Sequence, residues 1–422
     1  MKAIFISLGF DKNTVDSEKI YKRFIERFGF DVAIEPKDAD IVIINTCSFI
    51  HDAKKESIDY IKYFVDLKKK NQIKKILVVG CLVAENNKTH EFDNVFKDVD
   101  VSLSVGKYLD DLNDINDRML DVLSFSSSIK ICDGCDKYCS YCAIPYLRGH
   151  FRSATKENIL KEVKVLAKNG TKELSIVGQD ILHYGYDFKK KNAIVDLINE
   201  ISKIDGIEWI RLLYCYPEEI NDDIIYLMEN NNKVLPYIDM PIQHASNKIL
   251  KLMNRHTSKS DIKEIVYKLR AAIPNICIRT TLIVGFPGET EEDFDELSEF
   301  VREMKFDKLG VFAYSREKLS KSYNFKDQVD EKVKNSRKKK ILDIQKEIVK
   351  AKNQNRIGDV YYSIVEGKDT SKRDTYIVRP YFDARDIDDK VYVKSKELLI
   401  SGSFVNVEIK KVLGYDLEGE IL

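Results

Sequence analysis

Apolar residues fall into short runs, separated by stretches in which they recur every three to four positions, and this alternation repeats along most of the chain. In the first part, the runs predict strands over Ala3 to Leu8, Ile41 to Asn45 and Lys75 to Val79. The helical period predicts helices over Thr14 to Phe28 and Ala53 to Lys70. Strand alternating with helix is the pattern of an open parallel sheet. From Ser127 onward the same alternation gives strands over Ile129 to Cys132, Glu173 to Val177, Trp209 to Tyr214, Leu235 to Met240, Cys277 to Val284 and Leu309 to Ala313. Between them lie helices over Lys156 to Lys168, Ile194 to Ser202, Ile220 to Glu229, Ser260 to Ala272 and Glu291 to Glu303. Six such units with right-handed crossovers curl toward a barrel whose carboxyl-terminal loops carry function. A lysine-rich helix over Lys332 to Lys352, with Val333, Ile341, Ile344 and Ile348 on one stripe, reads as a linker packed on the barrel with a solvated basic face. After Gly358, strands over Val360 to Val365, Tyr376 to Val378, Val391 to Lys394, Phe404 to Lys411 and Leu417 to Ile421 suggest a small OB-like β-barrel. The pattern thus predicts an α/β chain in four segments: 1–122, 127–325, 326–357 and 358–422.

Composition narrows the class. Sixty-nine basic residues balance sixty-nine acidic ones, so no global field draws the chain to nucleic acid or membrane. Met1 to Ile6 runs into a strand without signal-peptide anatomy, and no apolar run approaches a membrane span. The eight cysteines cluster too unevenly for a disulfide framework. These features predict a cytoplasmic protein without a membrane partner.

The cysteines carry the chemistry. Cys135, Cys139 and Cys142 form a C-x3-C-x2-C loop after the first central strand. Three thiolates can hold a [4Fe-4S] cluster and leave one iron open to a small molecule, a spacing unlike paired zinc knuckles. Cys132 stands three residues upstream, and a fourth thiolate closing the site is the alternative reading. If the open iron chelates S-adenosylmethionine, an electron from the cluster can release a 5'-deoxyadenosyl radical, with the protein supplying position and shielding. Tyr141 is a candidate cover for the adenine, or ordinary packing. The segment Ile283 to Glu289 ends the fifth strand, and Gly285 with Glu289 is a candidate shaper of the cofactor site. In the first sheet, Cys47 and Cys81 stand at equivalent strand ends, where ligands of open α/β sheets bind.

Ser7 to Glu18, Asn45-Thr46-Cys47, Val79-Gly80-Cys81, the cysteine loop and Ile144 to Gly149 together resemble the radical methylthiotransferases, and the likeness extends to a TRAM-like tail. Lys12-Asn13 with Asp16-Ser17-Glu18, Gly178-Gln179-Asp180, Tyr216 to Glu219 and Pro241 to Ser246 resemble the RimO type, which modifies an aspartate of small-subunit ribosomal protein twelve. The MiaB type, acting on an adenosine of transfer RNA, usually carries Gln-Ser-Gly-Ser where this chain has Gln243 to Ser246. The resemblance implies a radical cluster on Cys135, Cys139 and Cys142, an electron donor protein, and a second [4Fe-4S] cluster on three strand-end cysteines. It also implies that one S-adenosylmethionine methylates sulfur while another yields the radical that takes hydrogen from the aspartate β-carbon.

The chain departs from that pattern at one point. Cys47 and Cys81 match, but the third position is Phe10, whose ring cannot ligate iron. Asp11 is a harder substitute ligand; a labile cluster, an exogenous ligand or loss of sulfur transfer are the other readings. His244 is a substrate-contact candidate or a structural histidine, while Cys132, Cys215 and Cys277 read as structural. From Gly358 onward thirteen acidic residues face ten basic ones, with Asp383, Asp386, Asp388 and Asp389 in one turn. That charge suits a basic ribosomal protein, or the ribosome, better than transfer RNA.

Overall fold

The computed structural model describes residues 1–104, 118–119 and 124–422. The predicted segment boundary at 122 lies outside the described residues. Strands β1 (Lys2–Ser7), β2 (Asp31–Val32), β3 (Ile41–Thr46), β4 (Lys75–Gly80) and β5 (Val101–Leu103) form a parallel sheet in the order β2-β1-β3-β4-β5. β3 is buried along its whole length, which is why it reads as a continuous apolar run. The helices Asp11–Phe28 and His51–Lys69 lie against this sheet and bury Val15, Ile20, Phe24, Ile61 and Phe64.

The central sheet runs in chain order through β6 (Ser126–Lys130), β9 (Glu173–Val177), β10 (Trp209–Leu212), β11 (Val234–Asp239), β12 (Cys277–Val284) and β13 (Lys308–Ala313), all parallel. β7 (Cys132–Asp133) and β8 (Arg152–Ser153) form a separate antiparallel clasp. Two sequence expectations shift here. The first central strand is Ser126–Lys130 rather than Ile129 to Cys132, because three serines carry no apolar signal. β10 stops at Leu212 because Tyr214 adopts φ +64°, with its N–H donating to the Asp239 carboxylate at 3.2 Å. The helix Asn247–Leu252 escaped the periodicity analysis because it is too short to show a period.

The tail closes into a barrel, β14 (Val360–Lys368), β15 (Thr375–Pro380), β16 (Val391–Lys394), β18 (Asp416–Ile421) and β17 (Phe404–Leu413), in the order β14-β15-β16-β18-β17. It packs against the inner face of the central sheet, where Trp209, Leu235, Tyr237 and Cys277 join Phe382, Val391 and Val407 in one apolar cluster. Three of the four aspartates in the acidic turn hold this junction together and are engaged within the chain rather than offered to a basic partner, while Asp386 stays exposed. Asp383 and Asp389 both pair with Lys308, and Asp388 accepts the Tyr237 hydroxyl at 2.8 Å. The linker helix, Glu331–Asn355, buries Lys334, Arg337, Ile341, Gln345 and Val349, whereas Val333 is exposed. Its packed face is therefore partly basic, and Arg337 reaches Glu289 and Glu291 at 3.0 Å each.

A buried ion triplet locks the barrel to the sheet. Arg211 and Arg379 both bond the Glu173 carboxylate, the former at 3.0 Å and the latter at 2.9 Å. Burial pushes the Glu173 carboxyl up, but the two guanidinium groups outweigh it and hold the group at about 2. Because its folded value lies below the ordinary 4.5, its stabilising contribution is complete above pH 4.5 and disappears as pH falls toward 2. The chain's single tryptophan, Trp209, stacks edge-on against Phe404 at 5.0 Å in this junction, so its emission reports docking. Acid titration is expected to red-shift that emission between pH 4.5 and 2. Glu173→Gln should remove this step and destabilise the protein by about 3–5 kcal/mol at neutral pH in chemical denaturation.

Candidate functional site

The cysteine loop is tied down at both ends and along its length. β7 and β8 clasp its base, and the Cys135 N–H donates to Gly149 O at 3.2 Å. Gly134 turns the chain at φ +73°, and a Cβ there would lie 2.1 Å from His150 O, so only glycine fits. Further along, Ser140 donates its N–H to Met253 O at 2.9 Å and its hydroxyl to Leu252 O at 2.7 Å, while the Asn254 amide donates to the carbonyls of Lys137 and Tyr138. Burial raises Cys135 to about 11 and Cys142 to about 12, so both are protonated at neutral pH unless a metal takes the proton's place. Cys132 does not join them: its Sγ donates to Asp180 O at 3.5 Å and fills the space beside Gly178. The fourth-thiolate reading therefore fails.

Among the described residues, the one trio of His, Cys, Asp or Glu with ligand atoms within 4.8 Å of one another is Asp180, His183 and Glu219. That trio already surrounds a cation, since Lys137 pairs with Glu219 and lies 3.6 Å from Asp180. The three loop thiols are more widely spread. A single tetrahedral ion, about 2.3 Å from each sulfur, would draw them to within about 4 Å of each other. Three thiols, with Cys132 turned to Asp180 O instead, are a donor set that suits a cluster with one open iron.

Around the loop stands a wall of buried polar groups. Tyr216 places its hydroxyl 3.9 Å from Cys139 Sγ, and Arg255 lies over the Tyr216 ring at 4.2 Å. Neither carboxylate oxygen of Asp180 has a hydrogen-bond partner, and burial lifts that group to about 7. Gln179 Oε1 is unpartnered as well. Such orphaned acceptors are costly unless a ligand completes them. Tyr141 packs with Ile249, Met253, Phe286 and Tyr314 on the same side. Gly285, at φ +71°, leaves the room that its Cβ would fill to the stem of Lys334, and Glu289 accepts the Phe286 N–H at 3.0 Å and pairs with Arg337. His244 is fully buried and driven down to about 3 by burial, so it is neutral; its Nδ1 accepts the Ser246 N–H.

Cys47 and Cys81 follow β3 and β4, both buried. Ser57 bonds both backbone groups of Cys47, and Gly9 passes so close that a Cβ would sit 3.1 Å from the Cys47 Sγ. Cys81 packs with Ala84 against Ala143 and Leu147, immediately after the cluster loop, so the two cysteine faces abut. Phe10 is 51% exposed and meets Phe49 edge-on at 6.4 Å. Asp11 lies beside Asp386 in a cavity with Thr14, Val15, Ser126 and Ser128 rather than at the cysteines. Among the described residues, neither Phe10 nor Asp11 is thus placed as a third ligand here.

Lys12, Lys137, Arg148, Asp180 and Tyr216 lie within the sequence motifs, but the motifs assign them no role, and Arg255 lies outside them. Arg148 joins Asp16, Asp133 and Asn13 at 2.6–3.1 Å, and Lys130 bonds the same two aspartates, so the N-terminal helix and the cluster loop share one buried charge cluster. The signal that could have found these groups is the run of polar residues just past strand ends.

Residues 129–301 match the Radical SAM superfamily, residues 2–104 the uncharacterized protein family UPF0004, and residues 357–422 the TRAM domain. The chain is 43% identical to the ribosomal protein uS12 methylthiotransferase RimO of Acetivibrio thermocellus, across 100% of this chain and 98% of that protein. It is equally 43% identical to the corresponding protein of Clostridium kluyveri, with the same coverage. Its fold is similar to the radical S-adenosylmethionine methyltransferase TsrM of Kitasatospora setae, with a TM-score of 0.50 at 12% identity over 76% of each chain. Three matched segments in one order and relatives aligned end to end carry a single conclusion: the chain belongs to the RimO family of radical methylthiotransferases.

Proposed function

We propose that this protein places a methylthio group on the β-carbon of an aspartate in ribosomal protein uS12. The observation that carries the reading is the three-thiol loop, with Cys135 and Cys139 buried and Cys142 partly exposed, facing a wall of polar groups without hydrogen-bond partners and abutting a second face with Cys47 and Cys81. Cys135, Cys139 and Cys142 would hold the radical cluster, which with S-adenosylmethionine supplies a radical able to remove hydrogen from carbon. The protein's own groups do the rest. Asp180 and Gln179 offer acceptors to the cofactor's ammonium, Arg255 offers buried N–H donors without partners, and Tyr141 with Phe286 and Tyr314 shields the pocket from water. We also assign Gly285 and Glu289 to this site as its supports. Glu289 fixes the turn after β12 through the Phe286 N–H, and Gly285 admits Lys334 of the linker helix. An electron donor protein belongs to the same reading. No helix among the described residues is long and apolar enough to cross a membrane.

Three outcomes test it. Incubation of the anaerobically reconstituted protein with uS12 and S-adenosylmethionine should add a methylthio mass to one aspartate by mass spectrometry, and a Cys135/Cys139/Cys142 triple alanine variant should form no 5'-deoxyadenosine. Asp180→Asn should raise the KM for S-adenosylmethionine about tenfold, since a charge-assisted hydrogen bond is replaced by a neutral one. At the Cys47 and Cys81 face, two thiolates should hold iron less firmly than three. After chelator challenge the wild type is expected to keep about four irons per chain and Phe10→Cys about eight, one cluster against two. Equal retention would show that two thiolates suffice.

A further inference from the structure

Lys12 lies two residues past the strand-end position held by Phe10, in the first turn of the helix Asp11–Phe28. Its ammonium sits 3.7 Å from the centroid of the Tyr214 ring, which is presented by the left-handed backbone at that residue. The residue is rooted just past the end of β1 while its ammonium lies just past the end of β10, so the side chain spans from the first sheet to the central one. Among the described residues it makes no hydrogen bond and no ion pair. The anions around it are all engaged elsewhere. Asp239 accepts the Tyr214 N–H and pairs with Arg279 at 3.1 Å, while Asp133 pairs with Lys130 and Arg148 and accepts the Gly134 N–H. A ring face attracts an ammonium but accepts none of its N–H bonds in the way an anion does. Burial and the Arg148 guanidinium lower the group to about 8, so it remains largely cationic at neutral pH.

A half-buried cation whose three donors have no protein acceptor, reaching from one cysteine-bearing sheet to the other, is placed to take an anion from the ligand. We propose that Lys12 grips the β-carboxylate of the substrate aspartate. This rests on the reading of uS12 as substrate and deepens it. The carbon to be modified bears that carboxylate, so fixing the carboxylate fixes the carbon one bond away, about 1.5 Å. Position matters because a small misplacement of a reacting atom lowers the rate steeply. An adenine ring offers neutral acceptors such as N7 but leaves the ammonium's charge uncompensated. The only other carboxylate expected in the site is that of S-adenosylmethionine, and the test separates the two.

The full-length, anaerobically reconstituted protein is to be titrated with a synthetic peptide spanning the modified aspartate of uS12, and with the same peptide carrying asparagine. Wild type, Lys12→Met and Lys12→Arg are compared, with iron content and melting temperature confirming that each is folded and loaded. The wild type is expected to prefer the aspartate peptide about tenfold, as befits a charged over a neutral acceptor. Lys12→Met should abolish that preference, and Lys12→Arg should restore most of it. A preference that survives in Lys12→Met overturns the role of Lys12 alone. A Lys12→Met variant that loses affinity for S-adenosylmethionine while keeping the peptide preference assigns the lysine to the cofactor and overturns the proposal. A wild type that binds both peptides equally overturns this role, whereas a wild type that binds neither overturns the substrate reading beneath it.

Discussion

The arrangement depends on one buried charge cluster: Asp16 and Asp133 sharing Lys130 and Arg148. Asp16 belongs to the N-terminal helix, Lys130 ends the first central strand, and Asp133 and Arg148 bracket the cysteine loop. Two positive and two negative groups cancel within one dry volume, so each is tolerated only because the others are there. This constraint fixes the register between a sheet and a barrel that otherwise have separate apolar cores. Arg148 extends the constraint to chemistry, since it also reaches toward Cys81 and favours its thiolate against the effect of burial.

The same logic recurs at the other end of the central sheet. There the C-terminal barrel is held by Glu173 between two arginines and by Lys308 between two aspartates. The central sheet is thus tied to the N-terminal helix at the end of β6 and to the C-terminal barrel at the start of β9 and β13, in both places through paired charges. Among the described residues, Lys12 stands out against that background because it makes no ion pair, and the Asp180 carboxylate because it has only Lys137 at 3.6 Å and no hydrogen bond.

Much of this was legible in the sequence. Strands Glu173–Val177, Cys277–Val284 and Val391–Lys394 have the predicted ends, because apolar runs bounded by polar residues or turns leave little choice. The three-cysteine loop was legible because its spacing is itself the chemistry. What could not be read was pairing across domains. Asp383, Asp388 and Asp389 look like a solvated acidic turn until Lys308, Tyr237 and Arg279, distant in sequence, are seen to meet them. Ile341, Ile344 and Ile348 do lie on the packed face of their helix, but Val333 does not, because the first turns are buried through Lys334 and Arg337, whose long stems pack while their heads find carboxylates.

The clasp formed by β7 and β8 has a consequence for how the protein survives damage. Each tie on the cysteine loop, from Gly134 through Ser140 to Asn254, runs to protein atoms. In a zinc finger the metal must order its own ligands, and its loss unfolds the domain. Here ordering belongs to the scaffold, so stripping the iron leaves a preformed socket. An oxygen-damaged copy therefore need not be degraded and resynthesised; it can be refilled in place.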